Sequence, residues 1–145
     1  SKIPTILERL TSQHTSGSAD ATLTLQEVTD PREYGVAEVD ETDRGVLKVN
    51  SVVEKPARPR SKLAIMPLYA FEPAIFQALK ETEPDKGGEI QLTDAIQKLV
   101  EKGRRVQAIK LRQDDIRLDI GTPENYWEAL QLSYKCATAA TAGPT

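Results

Sequence analysis

The chain has 145 residues, 39% hydrophobic and 28% charged, which suits one domain with a real core. Its formal charge of −3 excludes the clustered basic surface of a nucleic-acid binder, and its longest nearly apolar run, residues 63–71, is too short to span a bilayer and carries Pro67. A single cysteine, Cys136, excludes an internal disulfide or a cysteine metal cluster, so the expected setting is a reducing cytoplasm with neither nucleic acid nor membrane as partner.

Ile3, Ile6, Leu7 and Leu10 recur at helical spacing and Pro4 suits a first turn, so residues 4–12 read as a short amphipathic helix. The polar run of residues 11–20 ends it, and His14, the sole histidine, reads as an exposed loop residue within that run. Residues 21–28 alternate and are β-branched, a strand that turns Leu23 and Leu25 to a core. After the turn Asp30-Pro31, residues 35–40 and 46–53 read as a hairpin across the polar turn 41–45. A Pro- and Arg-rich connection, residues 56–60, leads to a third strand over 63–71. Pro73 then opens a helix to about Lys80, expected to bury Ile75, Phe76 and Leu79.

Residues 83–88 read as a mobile loop. Leu92, Ala95, Ile96, Leu99 and Val100 trace one helix face, with Gly103 as the stop. Another strand follows over 106–111. Ile116, Leu118 and Ile120 then alternate with Arg117 and Asp119 in a strand that Gly121 ends. Thr122, Pro123 and Glu124 suit the start of a last helix, which runs to about Lys135 and buries Tyr126, Trp127 or Leu130. Residues 137–145 read as a disordered tail. Helices interleaved with strands, two of them a hairpin, predict an α/β layer structure with a mixed sheet.

Chemistry concentrates at a few positions. Asp119 sits near the end of a strand, where α/β folds bind ligands, and is a candidate metal or substrate ligand; the plainer alternative is an ion pair with Arg117. Gly35, between a turn and a strand, would let a ligand approach the backbone. Glu54 suits sugar hydroxyls and Lys55 suits a phosphate, although the two could equally be a solvated surface pair. Arg58 and Arg60 read as solvated loop residues. Glu89 could face a ligand, while Thr93 and Asp94 fit a helix start. No glycine-rich phosphate cradle is present, so much of any nucleotide site would lie elsewhere.

In order along the chain, Asp30-Pro31, Tyr34-Gly35-Val36, Val53-Glu54-Lys55-Pro56, the strand from Ser61 to Tyr69, the stretch from Gly88 to Ile96, and Leu118-Asp119-Ile120-Gly121-Thr122-Pro123-Glu124 resemble the sugar-1-phosphate nucleotidylyltransferase family. That family includes glucose-1-phosphate uridylyl- and thymidylyltransferases, and the resemblance covers roughly residues 3–135. It implies a Rossmann-like α/β/α sandwich with a mixed sheet, the nucleotide-diphospho-sugar transferase fold. It implies also that a sugar-1-phosphate oxygen attacks the α-phosphorus of a nucleoside triphosphate, giving a nucleotide sugar and pyrophosphate.

By the same resemblance Tyr34, Gly35 and Glu54 would bind the sugar, Lys55 its phosphate, and Asp119 a catalytic magnesium ion, Mg2+, so that Lys55 and Asp119 would carry catalysis. Pro67, Ile116 and Arg117 depart from the family's pattern and leave the sugar open. The motifs found are those of the family's C-terminal, sugar- and metal-binding half, here residues 1–136. Its triphosphate loop, base-reading residues and second metal aspartate have no counterpart, which leaves UTP or dTTP undecided and predicts an inactive isolated chain. Splitting a mixed sheet leaves unpaired edges, so self-association or pairing with an N-terminal half is expected. The alternative is a half-domain that binds a sugar phosphate or serves oligomerisation without catalysis.

Overall fold

The first helix begins with a reciprocal cap: Thr5 Oγ1 accepts from the Glu8 amide at 3.2 Å while the Glu8 carboxylate accepts from the Thr5 amide at 2.6 Å. The computed structural model describes residues 5–113, 115, 117, 118 and 120–141. Residues up to Arg112 form one compact unit and those from Gln113 a second. In the first unit the order is α1 (Ile6–Gly17), β1 (Ala21–Glu27), β2 (Gly35–Glu41), β3 (Leu47–Glu54), β4 (Leu63–Phe71), α2 (Ala74–Glu81), α3 (Leu92–Glu101) and β5 (Val106–Lys110); the second holds α4 (Pro123–Thr141).

This is the expected mixed-sheet α/β fold, with one feature the sequence did not suggest. β1 pairs antiparallel with β4 and parallel with β5, and β2 pairs antiparallel with β3. One Cα pair, Val36 with Ala64, joins β2 to β4, and two, Leu47 with Ala108 and Lys48 with Gln107, join β3 to β5. The five strands thereby close in a ring. The closure is thin, for β2 meets the nine-residue β4 at one pair and β3 meets β5 at two, so most of the outer edge of β4 keeps no ladder partner among the described residues, as expected of a half-domain.

The hairpin and the bounds of β4 fall where the sequence puts them. Pro67 cannot donate to a ladder, and there the β1–β4 register shifts: Leu23 faces Tyr69 and the next residue, Thr24, faces Met66, leaving Pro67 and Leu68 as a bulge. The core gathers Leu23, Leu25, Val52, Ile75, Ala95, Ile96 and Leu99. Leu92 and Val100 pack at its margin, so the face expected of α3 is the one it buries.

Several expectations for the first unit are corrected. The first helix runs on to Gly17, because its inward face changes from apolar to polar at Leu10, Gln13, His14 and Gly17 without losing its spacing. His14 is therefore no loop residue: its side chain is 12% exposed, with Nδ1 2.8 Å from Thr22 Oγ1 and Nε2 3.2 Å from Glu72 Oε1. Covered by the helix, β1 buries Thr22 and Thr24 as well as its leucines. On α2, Ile75 is buried but Phe76 is 66% exposed, the helix having a single inward stripe with no room for a second large side chain one residue on.

In the second unit, Arg117, Leu118 and Ile120 belong to no strand, and Leu118 and Ile120 are exposed; Ile116 lies outside the described residues. Thr122 caps α4 as expected, accepting from the Asn125 amide at 3.2 Å, but the helix continues to Thr141 through an alanine-rich stretch of high helix propensity. Tyr126, Trp127 and Leu130, expected to be buried, are exposed, and Ala129 is the buried residue of this helix. No helix among the described residues is long and apolar enough to cross a membrane.

One tight contact of the first unit yields a stability prediction. The Gln107 side chain, 3% exposed, donates to the Gln13 carbonyl at 2.7 Å and to Thr22 Oγ1 at 3.1 Å. A methyl group at Gly17 would lie 2.4 Å from Gln107 Oε1. Gly17→Ala should therefore displace the amide and lower the denaturation midpoint by the equivalent of about 1–3 kcal/mol. An unchanged midpoint would mean that Gln107 repacks without loss.

Candidate functional site

Backbone pairing brings the sequence candidates together. Gly35, the first residue of β2, is the ladder partner of Glu54, the last of β3. The Lys55 amide donates to the Tyr34 carbonyl at 3.0 Å, so Tyr34, Gly35, Glu54 and Lys55 meet at the open end of the hairpin. Lys55 holds a left-handed backbone with φ of +39°, which costs a residue with a side chain about 1–3 kcal/mol. Such strain persists only where neighbours enforce it, and here the Tyr34 hydrogen bond and the end of the ladder do so. The Lys55 side chain is exposed, and the hairpin register sets the point from which it leaves the backbone.

Glu54 is not a free surface carboxylate. Thr93, in the first turn of α3, donates its hydroxyl to Glu54 Oε2 at 2.6 Å and is itself 7% exposed. The cap residue of α3 is Gln91, which makes no side-chain capping bond, so Thr93 serves Glu54 rather than the helix start expected of it. Gly35 makes this possible: a β-carbon there would lie 2.8 Å from Thr93 Oγ1 and 3.2 Å from Glu54 Oε2. Absence of a side chain at residue 35 is thus what lets the α3 hydroxyl reach the hairpin carboxylate.

Two further groups sense that carboxylate. Tyr69 on β4 stacks on Phe71 with ring centroids 5.4 Å apart, and burial, followed by the Glu54 charge, pushes its phenol above the ordinary value near 10. Asp94 lies beside Thr93; burial and then the charges of Glu54 and Asp85 raise its carboxyl above the usual range. In the sequence Asp94 reads only as a helix-start residue and Tyr69 only as the end of a strand motif, and nothing local to either signals the Glu54 charge it meets.

The other candidates are placed differently. Asp119 lies outside the described residues. Asp30, in the first of the shared motifs, is committed to Arg32, whose guanidinium bonds to both carboxylate oxygens and pulls its carboxyl down to about 2. Glu89 is exposed in a loop tied by Asp85, whose carboxylate accepts from the amides of Gly87 and Glu89 and from the Gln91 side chain. Arg58 and Arg60 are exposed, as expected. Among the described residues no group of three or more histidine, cysteine or acidic side chains is arranged to hold a metal ion.

The Tyr69 environment makes a pH prediction. A phenol whose folded value is raised favours the folded state fully below pH 10, and that contribution is lost as pH rises through the raised value. Tyr69→Phe should flatten the fall in melting temperature as pH rises above about 10, while leaving the curve at neutral pH parallel to wild type. Parallel curves throughout would show that neither burial nor Glu54 raises the Tyr69 phenol.

A hydroxyl-anchored carboxylate, a strained lysine beside it and a bare glycine backbone thus meet at one end of the hairpin. The family model for nucleotidyl transferases matches residues 3–135. The chain belongs to the nucleotidyl transferase family. Among its relatives is the UTP–glucose-1-phosphate uridylyltransferase of Pseudomonas aeruginosa, 42% identical over 109 residues, which cover 74% of this chain and 38% of that protein. Another is the low-salt glycan biosynthesis nucleotidyltransferase Agl11 of Haloferax volcanii, 40% identical over 117 residues, covering 81% of this chain and 31% of the relative. A UDP-glucose pyrophosphorylase solved with UDP-glucose superposes with a TM-score of 0.81 at 32% identity, over 93% of this chain and 51% of that one. This nucleotidyl transferase chain therefore spans about a third to a half of the proteins it matches.

Proposed function

We propose that this chain supplies the sugar-phosphate side of a sugar-1-phosphate nucleotidylyltransferase, of the glucose-1-phosphate uridylyl- or thymidylyltransferase type, working in the cytoplasm. The single observation that carries the reading is the Gly35–Glu54–Thr93 arrangement with Lys55 at its edge. Glu54, one oxygen engaged by Thr93, keeps the other to accept from sugar hydroxyls, and Gly35 leaves room for the ring against the backbone. Tyr34 borders that space. Lys55 offers a compact positive charge to the phosphate.

In the reaction, an oxygen of the sugar-1-phosphate forms a bond to the α-phosphorus of a nucleoside triphosphate as the bond to pyrophosphate breaks. Such transfer needs no enzyme nucleophile; its barrier falls when the reactants are aligned and the developing charge meets fixed cations. The strained backbone of Lys55 fixes where its ammonium group leaves the chain, which favours one approach of the phosphate. Nucleotidyl transferases are generally metal-dependent. A hard cation such as Mg2+ can be held by one or two carboxylates plus substrate phosphates, and Asp119 is the carboxylate we assign to it. When bound, the ion would neutralise charge on the phosphates.

Triphosphate binding is assigned to a separate nucleotide-binding half, with which this chain pairs; exposed Phe76 and Ile90 give it apolar surface to cover. Calorimetric titration of the chain with glucose-1-phosphate tests the reading. Binding that weakens about tenfold or more in Lys55→Ala supports it. No binding by wild type, or binding indifferent to Lys55 and Glu54, would overturn it. The chain alone should turn over no glucose-1-phosphate with UTP or dTTP above a Lys55→Ala control.

A further inference from the structure

A cleft of about 570 Å³ opens away from the Glu54 site, at the other end of β3. Lys48, which lines it, lies six residues before Glu54, on the order of 20 Å along an extended strand. Three segments enclose the cleft: the end of α1 at Ser16 and Gly17, the β2–β3 turn with the start of β3, and the α3–β5 connection running into Gln107. Its volume falls in the range of small-molecule sites, well above that of a lone inorganic ion.

The lining is cationic in a chain whose net charge is −3. Arg44, Lys48, Arg104 and Arg105 contribute four positive charges, against the single carboxylate of Asp43. Asp40 faces Lys48 in the hairpin ladder and Glu41 ends β2, but neither lines the cleft. Among the described residues Arg44 and Lys48 have no ion-pair partner. Arg104 reaches Asp20 only at 3.4 Å, and Arg105 donates instead to a neutral acceptor, the Gly17 carbonyl, at 2.7 Å. That bond fixes the Arg105 side chain without cancelling its charge. Like charges held along one concave wall repel one another, and the arrangement gains most from an anion carrying several charges of its own.

We propose that this cleft is a second ligand site, which takes a small molecule bearing two or more phosphate charges. Arginine favours phosphate through its planar fork of donors, and Lys48 adds a point charge beside it. The ligand's phosphates sit between Arg44 and Lys48 on one wall and Arg105 on the other, and its remaining bulk fills the cleft toward Gly17. The site is independent of Lys55 and of the reading given to it above.

Titration of the 145-residue chain with inorganic tripolyphosphate, followed by calorimetry and by amide chemical shifts, tests this. The expected result is saturable binding with shifts at Gly17, Val46 and Gly103. It should weaken about tenfold or more in Arg44→Ala/Lys48→Ala, while the shifts at Gly17 and Gly103 should persist in Lys55→Ala. Arg44 and Lys48 are exposed, so the double variant should keep the wild-type melting temperature and circular dichroism. Binding indifferent to the double variant would overturn the proposal. So would binding lost in Lys55→Ala with shifts confined to Tyr34, Gly35, Glu54 and Lys55, equal displacement by sulfate at matched ionic strength, or tighter binding of a single-stranded oligonucleotide than of tripolyphosphate.

Discussion

Gly35→Ala should cost the fold about 2–4 kcal/mol, although alanine in place of glycine normally stabilises by ~0.4–1 kcal/mol through the unfolded chain. The reason is local. The added methyl would sit 2.8 Å from Thr93 Oγ1, 3.2 Å from Glu54 Oε2 and 3.3 Å from Ile65 Cδ1, and neither β2 nor α3 is free to retreat. Something must move, and the weakest element is the Thr93–Glu54 hydrogen bond. Its loss leaves a half-buried carboxylate without its donor, a penalty of ~1.5–3 kcal/mol on top of the crowding. Denaturant unfolding of the single and double variants measures this. In Gly35→Ala/Thr93→Ala the hydroxyl is gone, so the two changes should sum to less than their separate costs by about 1 kcal/mol or more. Strict additivity, or a Gly35→Ala chain as stable as wild type, would show that residue 35 has space the geometry denies it.

In an enzyme assembled with the nucleotide-binding half, Asp119→Asn should lower turnover by about a hundredfold or more and leave the melting temperature nearly unchanged. A carboxylate that holds a cation against developing phosphate charge acts chiefly in the transition state, so its removal appears in kcat rather than in stability. Asparagine keeps the shape and drops the charge, which isolates the electrostatic contribution. Lys55→Ala makes the contrasting case: on the proposed reading the lysine meets the phosphate already in the ground state, so KM for the sugar phosphate should rise more than kcat falls. If Asp119→Asn retains full magnesium-dependent turnover, Asp119 is no metal ligand, and the plainer reading of an ion pair with Arg117 becomes the better account.

The parts of the fold that could be read in advance are those whose pattern is local. Gly35 to Glu41 and Leu47 to Glu54 alternate and flank a polar turn, and α3 repeats its apolar residues every three or four positions. The failures have one cause in common, dependence on a distant partner. His14 looked like a loop residue because its partners, Thr22 and Glu72, are 8 and 58 positions away. Thr93 looked like a helix start because Glu54 lies 39 positions earlier. The alternation at 116–120 promised a strand, yet alternation alone cannot supply the neighbour that a strand requires. Tyr34, Gly35, Glu54 and Lys55 were legible as motifs, while the hydroxyl that orients Glu54 and the phenol beside it emerge only once the chain has folded back on itself.

The thin seams of the ring have a dynamic consequence. β1 is laddered to β4 at seven positions and to β5 at five, whereas the β2–β3 hairpin joins this sheet through only three Cα pairs in all. Its firmer attachment is sideways, to α3, through the Gln97 side chain on the Val52 amide at 2.9 Å and through Thr93 on Glu54. The first unit thus resembles two leaves, a hairpin with its helix and a three-stranded sheet, meeting along a lightly stitched spine. Cooperative breathing should run along that spine at a free energy well below global unfolding. Glu54 lies on one leaf and Tyr69 on the other, so a molecule that touches both would act as a clasp, and its arrival would register as stiffening of the whole unit.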